Sequence, residues 1–248
     1  MKLKLLTAAI ALVATPVLSA TSLDIGYKAY TSDTKDDNRG AYDQPFFKLS
    51  HFNKADWGTL FAYVKLENPG EVKDAQHGAD GKLTVKSLTI VDKQIGDSAY
   101  NWWLQNFLVS NRTVMEDNLY LGFTTNRKYG QLFINAGLGI NYSAASFSPT
   151  SASFDGLSGG AAVINARYPL QFLGLKHSLS LNYEGQFGRD DEHKATLGYD
   201  SYGHQIITTL KTSLGEGIYT KLHLTQFDSW GATPNDGIEY GLAIGFSF

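Results

Sequence analysis

The sequence predicts an all-β protein, a transmembrane antiparallel β-barrel of about twelve strands with short turns at one end and long loops at the other. Three observations predict it. The chain opens with an export signal. Apolar residues recur at every second position through the remainder. The connections alternate between long and short.

"MKLKLLTAAIALVATPVLSA" carries Lys2 and Lys4, then an apolar run from Leu5 to Val13, then small residues at Ser19 and Ala20. This is the three-part pattern of a secretory signal peptide, and its run is too short to span a bilayer. Cleavage is expected after Ser19 or Ala20, which makes 1–20 the signal and 21–248 the barrel domain. No long apolar run follows. Removing Lys2 and Lys4 takes the net charge from -3 to -5. That balance lacks the basic footprint of a nucleic-acid binder, so no nucleic acid polymer is expected as a partner. There is no cysteine, which excludes a disulfide framework and a cysteine-built zinc site. The 14 Tyr, 14 Phe and 25 Gly suit strands, tight turns and interfacial aromatic belts.

The strands follow in order. "LDIGYKAY" places Leu23, Ile25, Tyr27 and Ala29 on one face. "GTLFAYVKL" places Leu60, Ala62, Val64 and Leu66 opposite Thr59, Phe61, Tyr63 and Lys65. "QLFINAGLGINY" sets an apolar row from Leu132 to Tyr142 against Gln131, Asn135 and Asn141. "LKHSLSLNYEGQF" sets Leu175, Leu179, Leu181 and Tyr183 against Lys176, Ser178, Ser180, Asn182 and Glu184. "HQIITTLKTSL" and "IYTKLHLTQF" behave alike, and "GIEYGLAIGFSF" alternates up to the terminal Phe248. Period two is the strand signature, helical spacing fits none of these segments, and no amphipathic helix is expected in the mature chain. Strands are expected at 21–31, 44–53, 56–66, 82–91, 99–110, 117–126, 130–142, 159–169, 175–187, 201–213, 217–228 and 237–248. Trp102 and Trp103 must point to opposite faces, and either parity turns Gln105 or Asn106 toward lipid. A β-bulge is the expected remedy.

The connections discriminate between a soluble sandwich and a barrel. "SDTKDDNRGAYD", "ENPGEVKDAQHGADG", "SAASFSPTSASFDGLSG" and "GRDDEHKATLGYD" are long, "NKA", "NRKYG", "PLQFLG" and "LGEG" are short, "DKQIGDS" and "NRTVMED" are moderate, and "DSWGATPND" closes the last pair. Segregation of loop length by parity belongs to outer-membrane barrels, with both termini on the short-turn side. The stretch 143–158 is expected as an external loop. A terminal strand this apolar would aggregate as a free edge, so it is expected to pair with the first strand. Its closing aromatic resembles the signal read by the barrel assembly machinery.

Residues 48–66, "KLSHFNKADWGTLFAYVKL", resemble the early strand pair of the nucleoside-specific channel-forming family, the Tsx and OmpK group. There an acidic-aromatic strand leads to "DW" and an aromatic strand with "YGY"; here Asp56-Trp57 and Phe61-Ala62-Tyr63 fill those places. Residues 88–110, "LTIVDKQIGDSAYNWWLQNFLVS", resemble a second family segment. Lys48 and Ser50 stand where the family often has acids. The resemblance implies a pore in the bacterial outer membrane for small hydrophilic solutes such as nucleosides, without cofactor or catalysis.

The inward faces of these strands supply the candidate solute contacts: Tyr30, Lys48, Phe61, Tyr63, Lys65, Asn135, Arg167, Asn182, Glu184, Lys211, Tyr219, Lys221, His223 and Glu239. Rings can stack on a base and amides can meet ribose hydroxyls. With Lys28 added, the inward lysines outnumber the acids Asp24, Glu184 and Glu239, so the wall is basic while the chain is acidic. Such a wall favours anions. The competing reading is that the charges pair across strands and fill the lumen. Two other functions compete with a pore. A loop platform for adhesion or phage attachment is the second reading. An outer-membrane lipid hydrolase is the third; it needs a Ser/His/acid constellation, and no Gly-x-Ser-x-Gly elbow occurs. His77 and His193 lie near loop acids, and "TKDDNRG" and "GRDDEHK" lack the full spacing of a calcium loop, so they read as solvated tips. No metal is expected. Asn111-Arg112-Thr113 matches a glycosylation pattern that has no meaning in a bacterium.

Overall fold

The computed structural model describes residues 18–38, 40–70 and 83–248, and in it twelve strands form one closed barrel. They are β1 (Leu18–Tyr30), β2 (Gln44–Ala55), β3 (Gly58–Glu67), β4 (Thr84–Gln94), β5 (Tyr100–Ser110), β6 (Val114–Tyr129), β7 (Leu132–Phe147), β8 (Ala152–Phe172), β9 (Leu175–Phe187), β10 (Tyr202–Gly215), β11 (Ile218–Asp228) and β12 (Gly237–Ser247). Two short helices, α1 (Ser32–Asp37) and α2 (Asp191–Leu197), sit in connections. Most of the expected signal, along with His77 and its neighbours, lies outside the described residues.

Each strand is antiparallel to its sequence neighbours, and β12 returns to β1 with Ile244 opposite Ile25 and Phe246 opposite Leu23. Past that ladder, Thr21 and Phe248 exchange backbone hydrogen bonds of 3.3 and 3.0 Å. The last strand is therefore paired on both sides, which explains why its alternation runs to the end and leaves no edge.

The burial pattern is inverted relative to a soluble protein. On β12, Leu242 is 56% exposed and its neighbour Ala243 only 3%. Lys28, Gln105 and Gln186 are buried inside. An apolar exterior over a polar lumen is the arrangement lipid demands. Exterior rings gather at two levels. Tyr100, Trp102, Tyr129, Tyr168 and Phe172 lie toward the short turns, and Tyr27, Tyr142, Phe187, Tyr202 and Tyr240 toward the longer loops.

β12 also shows why its inward positions are small. Gly237, Gly241 and Gly245 stand opposite Phe227, His223 and Tyr219 of β11. A Cβ on Gly245 would come within 2.1 Å of the Tyr219 ring, and one on Gly241 within 2.3 Å of the His223 ring. The glycines make room for three rings from the adjacent strand.

Four expectations need correction. First, 143–158 is no loop: β7 and β8 continue as a hairpin closed by residues 148–151. Ser143, Ala145, Phe154 and Ser158 are buried on its inner side, and Phe154 and Ser158 carry α2, so the alternation there serves a packed face. A bulge at Gly159, with φ 71°, re-aims the strand between its two parts. Second, helices do occur. Thr31 caps α1, and α2 runs from an Asp190 cap to Gly198 in the left-handed region. Third, β5 has no bulge: Trp102 faces out, Trp103 and Gln105 face in, and the outward Asn106 donates to Asp117 at 2.5 Å. The amide toward lipid is satisfied by a neighbouring strand. Fourth, "GRDDEHK" is not a solvated tip, because Arg189 and His193 are buried.

Candidate functional site

The lumen is divided by strand. β1–β4 and β10–β12 carry most of its charges, while β5–β9 carry mainly amides, hydroxyls and rings. On the charged side, Lys86, Lys65, Lys48 and Asp24 stand side by side across β4, β3, β2 and β1. Lys211 and Lys221 face each other on β10 and β11. Like charges directly opposite repel, so this wall depends on its carboxylates. Glu67 meets Lys65 at 2.7 Å, Lys28 at 3.1 Å and Lys86 at 3.5 Å. Glu239 meets Lys28 at 3.0 Å, and His223 Nε2 lies 3.7 Å from its other oxygen. Asp24 accepts from Lys221 at 2.6 Å and from the Tyr219 hydroxyl at 2.7 Å. Lys48 and Lys211 have no carboxylate partner among the described residues. Their ammonium groups lie 4.0 Å over the Tyr63 ring and 3.6 Å over the Tyr219 ring. The pairing reading thus holds for four lysines, and the excess-charge reading for two.

The opposite wall carries an amide ladder. Asn126, Asn135, Asn165 and Asn182 are neighbours across β6, β7, β8 and β9. Asn135 donates to Asn126 at 2.9 Å, Asn165 to Asn135 at 3.1 Å, and Asn182 to Asn165. Asp92 of β4 accepts from Thr124 at 2.7 Å near the short-turn end.

A roof closes over the long-loop end. The β11–β12 connection folds inward and brings Trp230 into one buried cluster with Tyr30, Trp103, Tyr120 and Phe227. Three ties hold it. Arg189 donates to the Ser229 carbonyl at 2.7 Å and to Gln186 at 2.7 Å. The Ala232 N–H reaches Glu116 at 3.0 Å and the Tyr199 hydroxyl at 2.6 Å. Asn38, just after α1, exchanges bonds with Asn235 and Asp236 at 3.1 Å each. Two cavities flank this segment, an outer one of about 600 Å³ and a central one of about 320 Å³. Tyr30, Lys86, Gly231 and Thr233 line both, so the loop partitions the lumen.

All fourteen residues singled out from sequence lie on inward faces. Tyr30, Lys48, Tyr63, Lys65, Lys221, His223 and Glu239 line the central cavity together. Phe61 packs edge-on to Tyr63 at 6.1 Å. Tyr219 and Lys211 pack against each other beside the cavity, without lining it. Glu184 is buried against Gln205, which donates to it at 3.3 Å. Asn135 and Asn182 belong to the amide ladder, and Arg167 bonds Ser178 at 3.0 Å toward the short-turn end. Sequence reasoning missed Glu67, Lys86 and Trp230. Glu67 read as the first loop residue, Lys86 lies in a strand of weak alternation, and Trp230 sits in a loop without a pattern.

The hydrolase reading finds a matching trio in the wrong setting. Ser158 Oγ lies 2.7 Å from His193 Nδ1, and His193 Nε2 lies 4.0 Å from Glu116. Ser158 and His193 are fully buried and line neither lumen cavity. Ser158 also accepts the Asp190 N–H at 3.2 Å, and Phe154 stacks on the imidazole at 5.0 Å. The trio pins α2 to the wall. Asn111 is likewise structural: its side-chain oxygen accepts from the Thr113 and Val114 N–H groups at 2.8 and 2.9 Å.

Comparison with known proteins agrees with this architecture. No curated protein matches the chain by sequence. Among solved structures, the NanC porin matches with a TM-score of 0.50 at 8% identity, over 90% of this chain and 98% of that one. The KdgM porin matches with a TM-score of 0.47 at 14% identity, over 92% and 99%. LpxR from Salmonella typhimurium matches with a TM-score of 0.45 at 11% identity, over 91% and 99%. At these identities the NanC match speaks for the fold alone. The family described as nucleoside-specific channel-forming protein, Tsx, matches residues 25–248. With its lipid-facing exterior and polar lumen, the chain belongs to that family and is a β-barrel channel of the bacterial outer membrane.

Proposed function

We propose that the channel passes nucleosides by passive diffusion and performs no catalysis. The observation that carries this reading is the lining of the central cavity. Tyr30, Tyr63, Phe227 and Trp230 line it with aromatic rings, while Ser180, Gln205, Thr209 and Thr225 offer hydroxyls and an amide. A nucleoside has the matching parts, a planar base and a hydroxylated sugar. Stacking on aromatic side chains contributes about 1–3 kcal/mol per base in single-strand binding, a strength that retains a solute without trapping it. The volume of about 320 Å³ suits one small molecule at a time. The buried Ser158–His193–Glu116 trio supports a non-enzymatic reading, since substrate has no route to its serine.

Planar bilayers test the proposal. Purified protein gives discrete conductance steps, and adenosine lowers the ionic current in a saturable manner. A sugar of similar size, such as glucose, lowers it far less. Equal effects of adenosine and glucose would leave a channel without nucleoside preference.

A further inference from the structure

We infer that Lys48 is a binding site for the anionic group, phosphate or carboxylate, of a permeating solute, an inference that rests on the channel reading and deepens it. Around the mid-lumen, six lysines face four carboxylates: Lys28, Lys48, Lys65, Lys86, Lys211 and Lys221 against Asp24, Glu67, Glu239 and Glu184, the last held by Gln205. The carboxylate nearest to Lys48 by register is Asp24, its direct cross-strand partner. Asp24 binds Lys221 through one oxygen and the Tyr219 hydroxyl through the other, and it makes no ion pair with Lys48. Glu67, two residues along from Lys65, serves Lys28, Lys65 and Lys86 instead. Lys48 is left with the Tyr63 ring, beside Lys65 on the next strand.

A ring contact offsets only part of the cost of a lysine that has no ion pair among the described residues. Like charges in register destabilise a sheet, and local rules are broken mainly at functional positions. An arriving anion supplies the missing counter-charge. Position supports the same conclusion. Lys86 lines both the outer and the central cavity, while Lys65 and Lys48 line the central one. An anion passing the β11–β12 loop meets Lys86 at the border of the two cavities, with Lys65 and Lys48 beside it across β3 and β2. Rings and rows of lysine select anions in pores. The rings and hydroxyls of the same cavity remain for the uncharged body of the solute.

The test uses the purified channel in planar bilayers, first across a potassium chloride gradient. The expected reversal potential has the sign of chloride preference. Adenosine and AMP are then compared as blockers, with inorganic phosphate and acetate as the bare anions. AMP is expected to block at about ten-fold lower concentration than adenosine, the size of one added charged hydrogen bond. Stronger block by phosphate than by acetate assigns the site to phosphate esters, and the reverse assigns it to carboxylates. Lys48→Gln is expected to move selectivity toward cations and to equalise AMP and adenosine, and Lys48→Arg is expected to restore both. Heat-modifiable migration on gels verifies that each variant is folded. A conducting wild type that prefers cations, or a Lys48→Gln variant with unchanged reversal potential and unchanged blocker ratio, overturns the anion site alone. Absence of conductance in folded wild type overturns the channel reading and this site with it.

Discussion

Trp230 belongs to a loop yet is only 4% exposed, because Arg189 and Glu116 pull its neighbours Ser229 and Ala232 into the lumen. Trp230→Ala is expected to raise single-channel conductance, because the indole lines the central cavity. Truncating a packed aromatic costs about 3–5 kcal/mol in soluble cores, but no strand ladder is touched, so the barrel should still form. Unchanged conductance would show that this ring does not narrow the path. His193 gives a second test at this scale. Burial pushes its imidazole below the ordinary histidine range, with Arg189 acting in the same direction and Glu116 and Asp190 acting against it. The folded state then binds fewer protons than the unfolded state, so the contribution is complete above about pH 6.5 and is lost as pH falls below it. Hydrogen exchange across 191–199, corrected for intrinsic rates, should show faster opening of α2 at acid pH in wild type and no such change in His193→Gln. Neither residue was legible as an anchor. Their partners are remote in sequence, Trp230 with Tyr30 and His193 with Glu116, and strand periodicity carries no information about such contacts.

At the scale of elements, twelve strands were legible and most could be read from period two, which lipid outside and polar lumen inside enforce, although β4 and β5 follow it poorly. Connections were legible only in part, because two on the longer-loop side, 111–113 and 148–151, are as short as turns. The 143–158 stretch misled because Ser, Ala and Gly suit loops by composition, while here their small size lets a hairpin wall pack under α2. The correction changes what an accessibility experiment should show. A regular hairpin resists proteases, so only its tip at 148–151 should react from outside. The chain has no cysteine, so single-cysteine variants are clean probes. Thr150→Cys is expected to label with an impermeant maleimide on intact cells. Glu216→Cys, in the turn between β10 and β11, is expected to label only after the outer membrane is permeabilised. The opposite result would invert the barrel in the membrane.

The whole molecule is stable only as a closed, lipid-facing cylinder, and β12 is where closure and lipid contact meet. Leu242 stands between Leu222 of β11 and Tyr27 of β1, midway along the strand, and all three are exposed on the exterior. Ala243 points the other way, into the lumen opposite Lys221. Adjacent residues therefore meet opposite solvents, and the same chemical change should have opposite tolerances. An arginine on the lipid face near the midplane of a barrel costs about 2–4 kcal/mol, falling toward zero at the interfaces. In Leu242→Arg that cost falls on the strand that must pair with both β1 and β11 before any edge disappears. Ile244→Arg, further toward the short-turn end, should cost less than Leu242→Arg if it lies closer to the interface. Ala243→Ser adds one hydroxyl within reach of a polar lumen and should be mild. Refolding from urea into lipid vesicles, read by heat-modifiable migration, measures all three. The expected order of folded yield is Ala243→Ser, then Ile244→Arg, then Leu242→Arg. Equal yields would mean that the apolar face of β12 does not touch lipid, which the inverted burial of the barrel requires.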